Sequence, residues 1–75
     1  MTTYLTRWTL TDAAGTTVAD VENLAGESSW LLSYEEVRRT YRNETAAVKA
    51  LKALTAGTVA KETLTEDAYF AEMGL

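Results

Sequence analysis

An α+β fold is predicted by three features: an alternating segment near the start of the chain, a helix-favouring segment after its midpoint, and a second alternating segment beyond that. The first is Thr3 to Thr11, TYLTRWTLT; the second is Glu44 to Ala56, ETAAVKALKALTA; the third is Thr58 to Thr65, TVAKETLT. The expected architecture is a small three-stranded antiparallel sheet, with a β-hairpin over residues 3–22 and a strand over residues 58–65. Helices over residues 34–42 and 44–56, and a short C-terminal helix over 66–73, are expected to cover it. With 75 residues the chain reads as a single small globular domain spanning 1–75.

In the first segment Tyr4, Thr6, Trp8 and Leu10 fall on one face and Leu5, Arg7, Thr9 and Thr11 on the other. Threonine and aromatic residues both suit a pleated surface. Asp12 to Gly15, DAAG, then reads as a turn in which the glycine supplies a positive φ. From Thr16 to Leu24 the pattern supports either a strand or a helix. As a helix, Val18, Val21 and Leu24 share a face and Gly26 ends it. As a strand, Val18 and Val21 point to opposite faces unless a bulge intervenes. The short preceding turn favours the strand.

Ser33 and Glu36 have the spacing of a capping box, with Glu35 and Glu36 at the expected helix start and Arg38, Arg39 and Arg42 later. If residues 34–56 formed one helix, Glu44 would fall within the apolar stripe of Val37, Tyr41, Val48 and Leu51. A carboxylate is costly to bury, so a break is expected near Asn43 and Glu44, with Asn43 as a cap. Gly57 is expected to close the second helix as its C′ residue. Thr65, followed by Glu66 and Asp67, caps the last helix.

Composition narrows the chemistry. The hydrophobic fraction of 47% and seven aromatic residues indicate a folded chain. With neither histidine nor cysteine, there is no disulfide, no common transition-metal ligand and no usual general base. The four glycines are scattered, so no phosphate-binding loop is formed, and the carboxylates lack calcium-loop spacing. The expectation is therefore no enzyme, no catalytic residues, no metal and no cofactor. Without a membrane-length apolar run or a charged-then-apolar leader, a soluble, cytoplasmic protein is expected.

Charge is unevenly distributed. Residues 1–36 carry a net −5, residues 37–61 a net +5 and residues 62–75 a net −4. On a continuous helix Arg38, Arg42, Lys49 and Lys52 would form a basic row. That row is a candidate nucleic-acid surface, although an overall charge of −4 weighs against phosphate binding and a solvated face accounts for it as well.

Absent catalytic groups point instead to a non-enzymatic protein-interaction module. The sharper form of this expectation is a small acidic inhibitor, of the kind mobile elements such as phages encode, whose target binds nucleic acid. Candidate acidic contacts are Asp12, Asp20, Glu22, Glu27, Glu62, Glu66, Asp67 and Glu72, each of which also serves solubility. Trp30 and Tyr34 are candidate aromatic anchors. A nucleic-acid binder using residues 37–61, and a structural protein whose small core leaves a sheet edge or helix face to self-associate, are the alternatives.

Overall fold

In a computed structural model, which describes residues 2–74, the chain forms a mixed fold built on a five-stranded antiparallel sheet. The elements run β1 (Leu5–Thr11), β2 (Thr17–Leu24), β3 (Trp30–Tyr34), β4 (Val37–Tyr41), α1 (Glu44–Lys52), β5 (Thr58–Leu64) and α2 (Glu66–Glu72). Their order across the sheet is β4-β3-β2-β1-β5, so α1 carries the chain from one edge strand to the other.

The expected three-stranded sheet is corrected to five strands, and the expected helix over 34–42 is instead the end of β3, a turn and β4. The reason lies in a period of two. Trp30, Leu32 and Tyr34 face the core from β3, and their cross-strand partners are Tyr41, Arg39 and Val37. A helix would also gather Trp30, Tyr34, Val37 and Tyr41 on one face, but it would turn Leu32 away from them, whereas the strands bury Leu32 in the core beside Val21. The two-residue turn Glu35–Glu36 lacks the Asn-Gly or Asp-Gly signature of such hairpins, and Glu35 adopts φ +53°. Burial across the strands outweighs that local strain. Arg38 Nη1 braces the turn by donating to the carbonyl oxygens of Glu35 and Val37, each at 3.0 Å. The Ser33–Glu36 capping box is not used.

The remaining elements follow local chemistry more closely. Asp12 Oδ1 accepts from the amides of Ala14 at 2.9 Å and Thr16 at 3.0 Å, closing the β1–β2 turn in which Gly15 has φ +85°. β2 is a strand, and the bulge its valines required is present: Leu10 pairs with Ala19 but Thr11 pairs with Thr17. Val18 is the extra residue, and it packs against the same core as Val21. The break at Asn43 is found as expected. Asn43 is the N-cap of α1, its Oδ1 accepting from Ala46 N at 2.8 Å. The helix ends at Lys52 with Ala53 as its C-cap, short of the expected residue 56.

The core lies between α1 and one face of the sheet. Leu10, Ala19, Val21 and Leu32 from the strands meet Ala47 and Leu51 from the helix. Glu44, at the start of α1, ties the helix to two strands: Trp8 Nε1 donates to its Oε2 at 2.8 Å and Lys61 Nζ lies 3.1 Å from that oxygen. The Trp8 bond, aided by Lys61, holds the Glu44 carboxyl below the usual range despite partial desolvation. α2 packs on the other face, where Tyr69 and Phe70 approach the Tyr4 ring at 5.4 and 5.8 Å between centroids.

Candidate functional site

Because side chains alternate along each strand, the sheet has a face toward α1 and a face toward α2. Arg7 of β1 stands on the α2 face. Its register neighbours are Glu22 of β2 and Glu62 of β5. Arg7 Nε donates to Glu22 Oε2 at 2.9 Å, and Nη1 lies 3.0 Å from Glu62 Oε1 and 2.8 Å from Glu72 Oε1 of α2. Burial of the guanidinium works against its charge, but the bonds and charges of Glu22 and Glu72 prevail and raise its pKa further above neutrality. One cation thus organises carboxylates from two strands and a helix.

A shallow cleft of about 490 Å³ opens beside this group. Tyr69, Glu72 and Met73 border it on the α2 side, with Thr9, Asp20 and Glu22 on the sheet. Three of the four large apolar residues exposed among the described ones belong to this side: Leu24 at 38%, Leu31 at 39% and Met73 at 57%. Leu24 lies opposite Leu5 and Leu31 opposite Glu22, which fixes their face. The surface therefore combines carboxylates with exposed hydrophobic area.

Asp20 is half-buried in this cleft. Partial burial raises its carboxyl pKa, the Glu22 charge adds to the rise, and Arg7 and Arg38 oppose it. A raised carboxyl favours the fold when neutral: the stabilising contribution is complete below the unfolded value and lost as pH rises through the folded one. At neutral pH ionised Asp20 therefore subtracts from stability. Asp20→Asn is expected to raise the melting temperature slightly at about pH 7, and to match wild type at about pH 3, below the ordinary aspartate value. The gain is small because solvent screens the group. A drop at neutral pH would show instead that the carboxylate makes a stabilising contact.

Of the expected acidic contacts, Asp20, Glu22, Glu62 and Glu72 converge here, and Glu66 and Asp67 extend the set along the first turn of α2. Asp12 and Glu27 do not belong to it. Asp12 is occupied within the β1–β2 turn, and Glu27 lies in the β2–β3 turn, where Asn23 Nδ2 donates to its carbonyl oxygen at 3.1 Å. Trp30 and Tyr34 pack against the core from the α1 face and are half-buried.

The basic row does not assemble, because its first part is a strand. Arg38 points to the α2 face opposite Ser33, Arg42 sits by Ser29 and Tyr41, and Lys49 and Lys52 flank a groove over Trp8. The charge map becomes simple once the faces are known. The α2 side holds Asp20, Glu22, Glu62, Glu66, Asp67 and Glu72 against Arg7 and Arg38, a net −4. The α1 side holds Arg39, Lys49, Lys52 and Lys61 against Glu44, a net +3.

Arg7 escaped the sequence reading as a functional residue, although its isolation as the single base among six acids in residues 1–36 was a signal. No helix among the described residues is long and apolar enough to cross a membrane. No protein-family model matches the chain, and comparisons with curated proteins and with solved structures also find no match.

Proposed function

We propose that the chain is a non-enzymatic binding module that docks its α2 side onto a protein partner with a basic, partly apolar surface. The observation that carries this reading is the shared location of Leu24, Leu31 and Met73 with a net charge of −4. Exposed apolar side chains provide area to bury, while the carboxylates around them steer and select a cationic partner. Lysine- and arginine-lined grooves that hold nucleic acid have this complementary character, so inhibition of such a protein is the specific form proposed. The unexpectedly broad sheet supports the role mechanically, since it presents the surface on a rigid frame.

Labelled oligolysine and labelled duplex DNA are suitable probes, at about 50 and 200 mM salt. The triple variant Asp20→Asn, Glu66→Gln, Asp67→Asn leaves the carboxylates around Arg7 intact. It is expected to bind oligolysine at least about tenfold more weakly than wild type. A control with the same charge change away from this side, Glu27→Gln, Glu35→Gln, Glu36→Gln, is expected to bind as wild type does. Equal losses in both variants would reduce the effect to net charge, and DNA binding by wild type would favour a nucleic-acid role.

A further inference from the structure

We propose a second docking site on this molecule: the free edge of β4 accepts an extended segment of a partner protein that carries two consecutive acidic residues. The site runs along the free edge of β4; it shares Arg38 with the α2 side but uses none of that side's carboxylates.

Geometry of the hairpin identifies the free backbone groups. Tyr34 pairs with Val37 across a two-residue turn. Such a pair must be hydrogen-bonded, because the alternative pairing would require the adjacent turn residues to bond to each other. Alternation then directs the backbone N–H and C=O of Leu32–Arg39 and Trp30–Tyr41 into the ladder. The N–H and C=O of Arg38 and Thr40 point away from β3. As β4 is the last strand on its side of the sheet, these groups meet no neighbouring strand. Residues 37–40 are exposed, and Val37 leaves 44% of its surface accessible. An added strand can therefore form backbone bonds at Arg38 and Thr40 and cover Val37.

Charge identifies the occupant. Arg38 and Arg39 are consecutive, so they project to opposite faces of the sheet, Arg38 opposite Ser33 and Arg39 opposite Leu32. Among the described residues neither pairs with a carboxylate; all four ion pairs involve Arg7 or Lys61. A partner strand beside β4 places its own consecutive side chains on the same two faces. Two adjacent carboxylates would therefore each meet a guanidinium, which is a favourable cross-strand pairing. A second copy of β4 fits poorly. Antiparallel self-pairing centred on Arg38, Arg39 or Thr40 sets arginine against arginine, which is destabilising, and a register centred on Val37 would have to draw Glu35 and Glu36 out of the β3–β4 turn. β5, the other edge strand, differs because Lys61 and Glu62 already pair with Glu44 and Arg7.

The test uses the full chain and labelled peptides in which β-branched residues flank a central Glu-Glu, a central Lys-Lys or an N-methylated Glu-Glu. The first should bind, slowing amide exchange at Arg38 and Thr40, while the other two bind at least about tenfold more weakly. The double variant Arg38→Glu, Arg39→Glu should exchange this preference for the Lys-Lys peptide. Thr40→Pro, which removes only an outward-facing N–H and keeps both arginines, should weaken the Glu-Glu peptide, with circular dichroism confirming its fold. Binding without protection of those amides would overturn strand addition. Equal affinity for all three peptides, no binding, or preference of the same arginines for a labelled oligonucleotide would overturn the proposal. Failure here leaves the oligolysine result for the α2 side untouched.

Discussion

Leu51→Ala is expected to destabilise the protein by about 2–5 kcal/mol, the range for emptying a leucine site in a packed core. Leu51 has no accessible surface and joins Leu10, Val21 and Leu32 in the cluster beneath α1. Domains of this size are stable by roughly 4–11 kcal/mol, so the loss is a large share of the whole. The position has a further consequence because α1 is the crossover between the two edge strands. Loosening the helix frees β4 and β5 together. Urea denaturation should show a much lower midpoint for Leu51→Ala, whereas Lys52→Ala, exposed on the same helix, should stay within about 0.5 kcal/mol of wild type. A loss below about 1 kcal/mol at Leu51 would mean that the core does not close around this side chain.

The legible parts of this fold were those in which one local signal spoke for one structure. β1 alternates without interruption, Asn43 and Glu44 could not continue an apolar stripe, and Val48 and Leu51 share a helical face. Residues 30–41 contained two signals. A capping box and a favourable charge order indicated a helix, while the aromatic and β-branched residues of WLLSY and VRRTY suit strands, although Leu31 and Arg39 interrupt a strict alternation. The decision depended on β2, whose Ala19 and Val21 pair with Tyr34 and Leu32. That contact is not local, and the turn that permits it has an ordinary residue, Glu35, at positive φ. Nothing in the local sequence marks it.

The functional surface was partly legible for the same reason. The acids were visible as candidates, but their grouping required the sheet register, which brings residues 7, 22 and 62 side by side. The basic stretch shows the reverse. Contiguous in sequence, it is dispersed by a strand, a loop and a helix: Lys49 and Lys52 stay together beside Trp8, and Arg38 and Arg39 stay adjacent on β4. Once the segment is a strand, adjacency means opposite faces, so a charge cluster becomes an edge that can grip a partner strand from both sides.

Gly57→Ala is expected to cost about 1–3 kcal/mol, although replacing glycine by alanine is usually favourable where the backbone allows it. Gly57 is not a helix terminus, since α1 has already ended at Lys52, and its φ is not positive. It lies where the chain enters β5, against the first pair of the β1–β5 ladder, Thr11 with Thr58. A Cβ here would overlap the Thr11 carbonyl oxygen and lie 3.1 Å from the Thr11 carbonyl carbon and 3.3 Å from Asp12 Cα. These are backbone atoms, so relief requires β5 to move. Gly15→Ala provides the contrast: φ is +85° but nothing lies within 4 Å, so it carries backbone strain without a clash. Chemical denaturation and amide exchange across Thr58–Leu64 separate the two, with exchange accelerated in β5 only for Gly57→Ala. Because β5 carries Glu62, its displacement weakens the arrangement around Arg7 and should reduce oligolysine binding. β4 lies at the opposite edge, so affinity for the Glu-Glu peptide should persist. A stabilised Gly57→Ala would refute the close approach of β5 to Thr11, whereas joint loss of both binding activities would show that the two edges of the sheet do not act independently.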